Sequence, residues 1–126
     1  METLYEMNAK KGEQMYSQGE NKCDISDHLS NSLIYKQIMS SNSESTVWYS
    51  YELFKLIHHS RLFNNEVVYK YDLHNLHKLT TQEMKKILIG YERGYTTLND
   101  DTLFFNEKLE WIIRIVDIDT IKSFGL

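Results

Sequence analysis

This amino-acid sequence predicts a single small α+β domain made of N-terminal helices, one strand, a capped amphipathic helix and a C-terminal β-hairpin. Its length of 126 residues is common for one domain. Apolar residues recur at helical spacing in several segments, and one run, EVVYKYDL, is rich in the β-branched and aromatic residues typical of strands. A mostly α-helical fold is the alternative, because residues 102–118 support either a helix or a hairpin.

The first 24 residues are predicted to form a mobile N-terminal arm, which precedes a domain spanning residues 25–126. This arm is mostly polar, and Gly12 and Gly19 interrupt any long helix in it. The first helix of the domain is expected from Asp27 to Ser40. Its apolar residues at helical spacing are Leu29, Leu33 and Ile38.

A second helix is predicted in STVWYSYELFKLIHHSR, whose apolar side chains cover nearly the whole helix circumference. Such a helix needs cover on two sides, which one small domain supplies with difficulty. We therefore expect a protein partner or a homo-oligomer. The first contact residues predicted are Trp48, Tyr51 and Phe54, and the next are Tyr69 and Tyr71 in the predicted strand.

The clearest helix in the sequence begins at Thr80. Thr80 and Glu83 have the spacing of a capping box, in which each side chain accepts a hydrogen bond from the backbone N–H of the other residue. The apolar stripe behind it is formed by Met84, Ile87, Leu88 and Tyr91. Gly94 is placed to end the helix, and Gly90 in its last turn predicts a close approach by another segment.

The C-terminal third is interpreted as a hairpin in which TLFF and LEWIIRIVDI flank a tight NEK turn. The density of β-branched residues in WIIRIV favours a strand over a helix. In the alternative, a helix would begin at Asp101 and place Phe105, Leu109 and Ile112 on one face.

Composition argues against several classes of function. There are 14 basic and 18 acidic residues, giving a formal charge of −4, so a surface that follows nucleic-acid phosphates is not expected. Cys23 is single, which rules out an internal disulfide, and no signal-peptide or membrane-spanning pattern is present. A cytoplasmic location is expected. The absence of Pro and the single Ala9 indicate an AT-rich genome, such as that of a low-GC bacterium, phage or mobile element.

A small DNA-binding regulator is one alternative function. The stretch LTTQEMKKILIGYERGYTT resembles the first helix of phage-type and transposase-type helix–turn–helix units. That resemblance implies a second, recognition helix after Gly94. The sequence there carries the adjacent carboxylates Asp100 and Asp101, which DNA phosphates would repel, so the scaffold interpretation of this helix is favoured.

A metal-dependent hydrolase or nuclease is a second alternative. Asp117 and Asp119 form a D-x-D at the end of the predicted WIIRIV strand, where they could share a face and bind a divalent ion. A suitably spaced lysine is missing, however, and paired carboxylates at a strand end are common on protein surfaces.

The histidines supply a third candidate site. His58, His59, His74 and His77 would bind zinc only if they converged in the fold, and no Cys or His spacing in the sequence is diagnostic of a metal site. No cofactor, metal ligand or catalytic residue is therefore assigned.

These observations favour a non-enzymatic protein. An acidic charge, a tyrosine-rich surface and a doubly apolar helix suit a module that occludes or sequesters a macromolecular target. An inhibitor of the anti-defence or immunity type is the expected example.

Overall fold

The computed structural model describes residues 20–40 and 44–126, and the predicted N-terminal arm lies mostly outside this part of the chain. Its last residues, from Glu20 onward, form the start of the first helix. The helices are α1 Glu20–Asn31, α2 Leu33–Met39, α3 Leu53–Ile57 and α4 Thr81–Glu92. The strands are β1 Thr46–Tyr49, β2 Val67–Asp72, β3 Asn75–Thr80, β4 Thr102–Asn106, β5 Ile112–Ile115 and β6 Thr120–Phe124.

One sheet holds the six strands that the described residues form, in the order β1-β6-β5-β4-β2-β3. Every neighbouring pair is antiparallel. The strands β5 and β4 lie at the centre, and β1 and β3 lie at the two edges. Strand β4 is buried along its whole length, as expected for a strand covered on both faces.

Helices pack on both faces of the sheet and form two apolar cores. On one face, α3 and α4 cover a core that contains Leu56, Met84, Phe104 and Trp111. On the other face, α1 and α2 cover a second core, which includes the fully buried Ile38. Area burial of this kind stabilises by about 25 cal/mol per Å² of apolar surface, so the two cores are the main source of stability.

Arg114 anchors α2 to the sheet. Its Nη1 donates to the backbone carbonyl of Ile38, one of the last residues of α2, at 3.1 Å. Its Nε and Nη2 both lie near Asp101 Oδ1, at 2.9 and 2.7 Å. The guanidinium therefore satisfies a carbonyl that the helix leaves without an internal partner.

The predicted fold is wrong in its sheet: one strand and a C-terminal hairpin were expected, and the structure has a six-stranded antiparallel sheet between two helical layers. The mostly α alternative is wrong for the same reason. The predicted hairpin corresponds to β4 and β5, with Phe105 opposite Ile112. It is extended by β6, so that the C-terminal segment contributes three strands.

The predicted second helix is also corrected. Its first part is the edge strand β1, which passes through the 3-10 turn Ser50–Glu52 into the short helix α3. The first predicted helix is two helices, because Ser32 breaks it and caps the second with its hydroxyl, which accepts from Tyr35 N–H at 3.2 Å.

The predictions for α4 are confirmed. Thr80 Oγ1 accepts from Glu83 N–H at 3.1 Å, and Glu83 Oε1 accepts from Thr80 N–H at 2.8 Å. Gly94 has φ +81°, the left-handed conformation expected after a helix. A methyl group at Gly90 would lie 2.5 Å from Thr96 Oγ1, so the close approach predicted there is made by the chain returning from the helix.

Candidate protein-binding surface

Exposed apolar side chains concentrate in one segment. In the part of the chain that the structure describes, nine large hydrophobic residues are exposed, and five of them lie between residues 47 and 63. Those five are Val47, Tyr49, Tyr51, Phe54 and Phe63. A single exposed apolar residue needs no explanation, whereas a group of this kind is typical of an interaction surface.

Strand β1 is an edge strand, and within residues 20–40 and 44–126 it pairs with β6 alone. Ser50 N–H donates to the carbonyl of Asp119 at 3.0 Å, in line with the β1–β6 pairing. Because hydrogen-bonding direction alternates along an antiparallel strand, Trp48 and Thr46 also direct their backbone groups toward β6. Val47 and Tyr49 consequently direct theirs away from the sheet.

Tyrosine side chains extend this edge. Tyr49 and Tyr51 stack with ring centroids 5.8 Å apart and planes nearly parallel, at 2°. Tyr51 is 72% exposed, so one face of the pair is open to solvent. Glu52 Oε1 accepts the N–H of Tyr49 at 3.1 Å, which fixes the turn that carries Tyr51. We call Val47, Tyr49 and Tyr51 the edge surface.

The outer side of α3 carries a second group of aromatic residues. Phe54 and His58 are four residues apart, so they are neighbours along the helix and its C-cap. The ring of His58 lies 5.9 Å from that of Phe63, and Lys85 Nζ lies 3.9 Å from the Phe63 ring centroid. Burial lowers the pKa of the Lys85 amine. We call Phe54, His58 and Phe63 the helical surface.

The structure separates the five predicted contact residues. Tyr51 and Phe54 are exposed, as a contact role requires. Trp48 is half-buried on the face covered by α3, and its Nε1 donates to Ser123 Oγ at 2.8 Å. Tyr69 is only 7% exposed and Tyr71 packs beside it in the second core. The tyrosines of the predicted strand thus lie under α1 and α2, away from the other candidates.

Sequence reasoning missed Tyr49 and Phe63 as candidates. In the predicted helix Tyr49 shares a side with Leu53 and Leu56, whereas in strand β1 it points to the face opposite Trp48. The sequence predicts a turn in LFNNE, which contains Phe63, and in the structure this residue ends the 3-10 turn Ser60–Phe63. The alternation V-W-Y was the available signal for the first, but four residues are too few to establish a period of two.

The histidines do not form a metal site in the structure. His59 Nδ1 accepts from Arg61 N–H at 3.3 Å, and His74 Nδ1 lies 3.5 Å from the hydroxyl of Tyr71. Within residues 20–40 and 44–126, no group of three or more His, Cys, Asp or Glu side chains is arranged to hold a metal ion.

The D-x-D carboxylates have a role in a turn. Asp117 Oδ1 accepts from the N–H groups of Asp119 and Thr120, at 2.9 and 3.0 Å, which closes the connection between β5 and β6. Tyr91 donates from its hydroxyl to the carbonyl of Asp117 at 3.3 Å. Burial and the nearby Asp100, Asp117 and Asp119 raise the pKa of that tyrosine.

A second pair of carboxylates, Glu66 and Glu110, meets at a buried amide. Asn106 Nδ2 donates to one oxygen of each, at 3.1 and 3.0 Å. Its Oδ1 accepts the backbone N–H groups of Glu110 and Trp111, and Trp111 Nε1 donates to Glu66 at 3.2 Å. Both polar atoms of the Asn106 side chain are used, so this network holds the β4–β5 turn in place.

Helix α4 is not followed by a recognition helix. The described chain continues from Gly94 through a loop into β4, and Asp101 within that loop binds Arg114. The helix–turn–helix arrangement implied by the resemblance of its sequence is therefore not formed at this place.

Comparison of the chain with protein-family models, curated proteins and solved structures gives no match. Among residues 20–40 and 44–126, no helix combines the length and the apolar character needed to cross a membrane.

Proposed function

We propose that this protein is a non-enzymatic protein-binding module that occludes or sequesters its target, and that the helical surface formed by Phe54, His58 and Phe63 makes the contact. The observation that supports this proposal most directly is the pair of phenylalanines Phe54 and Phe63, 51% and 55% exposed, which are linked through His58. Exposed aromatic side chains of this kind are enriched in protein interfaces.

The two sides of α3 support the proposal further. Leu53, Leu56 and Ile57 on its inner side are buried in the core, so the helix is held rigidly. Its outer side then presents Phe54 without a further loss of backbone freedom on binding. Preorganised aromatic contacts of this type lose less conformational entropy when a complex forms.

Charge supports a protein target over a nucleic acid. The chain has a net charge of −4, and the basic groups at the helical surface are already engaged: Lys55 lies 3.7 Å from Glu52, and Lys85 lies over Phe63. A phosphate-binding surface requires a local excess of free Lys and Arg. An apolar segment of another protein is the better complement.

The test compares capture of target by three forms of the protein in extract of the organism of origin. The double variant Phe54→Ser/Phe63→Ser removes the aromatic contacts. Tyr95→Ser is the matched control, because Tyr95 is 85% exposed but lies in the loop after α4. We expect one protein to be captured by the wild type and the control and lost from the double variant.

Purified components then complete the test. The captured protein should bind the wild type directly in titration calorimetry, and loss of two hot-spot aromatics should weaken the affinity by about 2–4 kcal/mol or more. Equal binding by wild type and double variant would rule out the helical surface. A shift of duplex DNA at micromolar protein would instead favour the regulator interpretation.

A further inference from the structure

We infer that the open edge of β1 is a self-association site, at which the β1 strand of a second copy of this chain pairs antiparallel and extends the sheet across a twofold axis. This inference goes beyond the proposed function, because it uses the edge surface and leaves the helical surface free on both copies.

The hydrogen-bonding groups of Val47 fit this pairing. Val47 directs its N–H and C=O outward, and in the described chain no strand other than β6 pairs with β1. When Val47 faces Val47 of a second copy, each N–H donates to the carbonyl of the other residue, as in an antiparallel hydrogen-bonded pair. An isologous contact of this form satisfies the same two groups on both chains at once. The N–H of Tyr49 already donates to Glu52 Oε1 at 3.1 Å, so the pairing between copies is centred on the two Val47 residues.

Charge is compatible with a second copy at this edge. Residues Thr46–Tyr49 carry no charged side chain. In the register that places Val47 opposite itself, Glu44 faces Ser50, so the acidic residue before the strand does not meet its own copy. Lys122 lies beside Val47 on β6. Two such lysines would be three strand spacings apart, about 14 Å, which exceeds the Debye length of about 8 Å in physiological salt.

The exposed area predicts a weak dimer. Tyr49 and Tyr51 are 52% and 72% exposed. Since an aromatic side chain offers about 150–250 Å², these two provide roughly 190–310 Å² per copy. Val47, 47% exposed, and the strand backbone add to this. The total over both copies lies below about 1,200 Å², the range of transient complexes. We therefore expect association at micromolar or higher concentration.

The first experiment is sedimentation velocity of the full chain over a concentration series. We expect a monomer–dimer equilibrium in the wild type. Val47→Lys places two like charges opposite each other and should raise the dimer dissociation constant by at least about tenfold. Leu73→Lys is the matched control, because it also replaces an exposed apolar residue by lysine but lies at the β2–β3 turn. It should leave the equilibrium unchanged.

A crosslink tests the register independently. Opposed residues in an antiparallel hydrogen-bonded pair have Cα atoms about 5.5 Å apart, within the range that a disulfide spans. In a Cys23→Ser background, Val47→Cys should form a covalent dimer on mild oxidation, visible as doubled mass without reductant. Leu73→Cys should form none above background.

A protein that stays monomeric at every concentration would overturn the inference. So would a dimer that survives Val47→Lys, because it would use another surface. If deletion of residues 1–19 turned a monomer into a dimer, the chain's own N-terminal segment would be the occupant of this edge, and the inference would also be wrong. Loss of target binding in Phe54→Ser/Phe63→Ser tests the proposed function and should leave self-association intact.

Discussion

The edge strands β1 and β3 lie at opposite ends of the sheet, and each passes directly into a helical segment whose first turn is fixed by a glutamate. Glu52 accepts the N–H of Tyr49, and Glu83 accepts the N–H of Thr80. Beyond this shared feature the two ends differ. Tyr49 and Tyr51 are exposed at the β1 end, whereas Tyr69 at the β2–β3 end is buried beneath the N-terminal helices.

The two edges also differ in the residues whose backbone N–H and C=O groups point away from the sheet. Glu107 N–H donates to the carbonyl of Val67 in line with the β2–β4 pairing. Alternation along β2 and β3 then leaves Leu76 and Lys78 directing their backbone groups outward from β3. A lysine on an edge strand discourages pairing with another strand, and the corresponding position on β1 is Val47. The β3 edge is thus protected against pairing with another strand, whereas the β1 edge is suited to it.

The largest expected effect is the difference in stability lost when a buried or an exposed tyrosine is replaced by alanine. Tyr69→Ala removes a ring that packs against Phe105, with ring centroids 5.7 Å apart, and should destabilise the protein by about 3–5 kcal/mol. Tyr51→Ala should change stability by less than about 0.5 kcal/mol, because its ring is largely in solvent. Urea unfolding followed by circular dichroism measures both. Similar losses in the two variants would contradict the contrast between the ends.

Alkaline pH should sharpen the same contrast through one tyrosine. Burial, and then the charge of Glu107, raise the pKa of Tyr69 from 10.0 to about 12. The Tyr69 hydroxyl therefore holds its proton more tightly in the folded state than in the unfolded state. This stabilisation is complete below pH 10 and is lost as the pH rises toward 12, by up to about 2–3 kcal/mol. As the pH rises across this range, the urea midpoint of the wild type should fall relative to that of Tyr69→Phe.

Substitutions at the two glutamate-capped turns should change the stability of the protein by smaller and unequal amounts. Thr80→Ala removes one half of a complete capping box at the start of the twelve-residue helix α4, and should cost about 1 kcal/mol. Glu52→Ala removes one exposed hydrogen bond at a 3-10 turn and an exposed ion pair with Lys55, and should cost a few tenths of a kcal/mol. Thermal unfolding of both variants measures the difference, and a reversed order would show that the β1 turn is the more tightly held.

Local signals predicted α4 well. Thr80, Glu83 and Gly94 each act on their own backbone neighbours, so their effect is independent of the remaining fold. The pairing of β4 with β5 followed in the same way from the density of β-branched residues in WIIRIV, after a short turn.

The β2–β3 hairpin could not be predicted because its turn lacks the usual residues. Leu73 and His74 have φ values of +45° and +69° at the two central positions, where Asn and Gly are strongly preferred. Strand β3 itself mixes Leu76 with His77 and Lys78, which conceals the alternation. Only pairing with β2 makes this segment a strand.

Strand β1 was missed for a related reason. Its four residues continue into the apolar positions of α3, and together they imitate the period of one long helix. The residues predicted to make contact therefore included Tyr51 and Phe54 and omitted Tyr49. The apolar excess around Trp48 was inferred from side chains spread around one predicted helix, whereas its division into a buried and an exposed side required the fold.

Hydrogen exchange at two adjacent amides tests the central claim, that the β1 edge is open in one molecule and closed by a second. Trp48 N–H is directed to β6 and should exchange slowly at all protein concentrations. Val47 N–H should exchange rapidly in dilute protein and slow down as the concentration rises through the dimer range. Slow exchange of Val47 in the dilute monomer, or an exchange rate independent of concentration, would contradict the account.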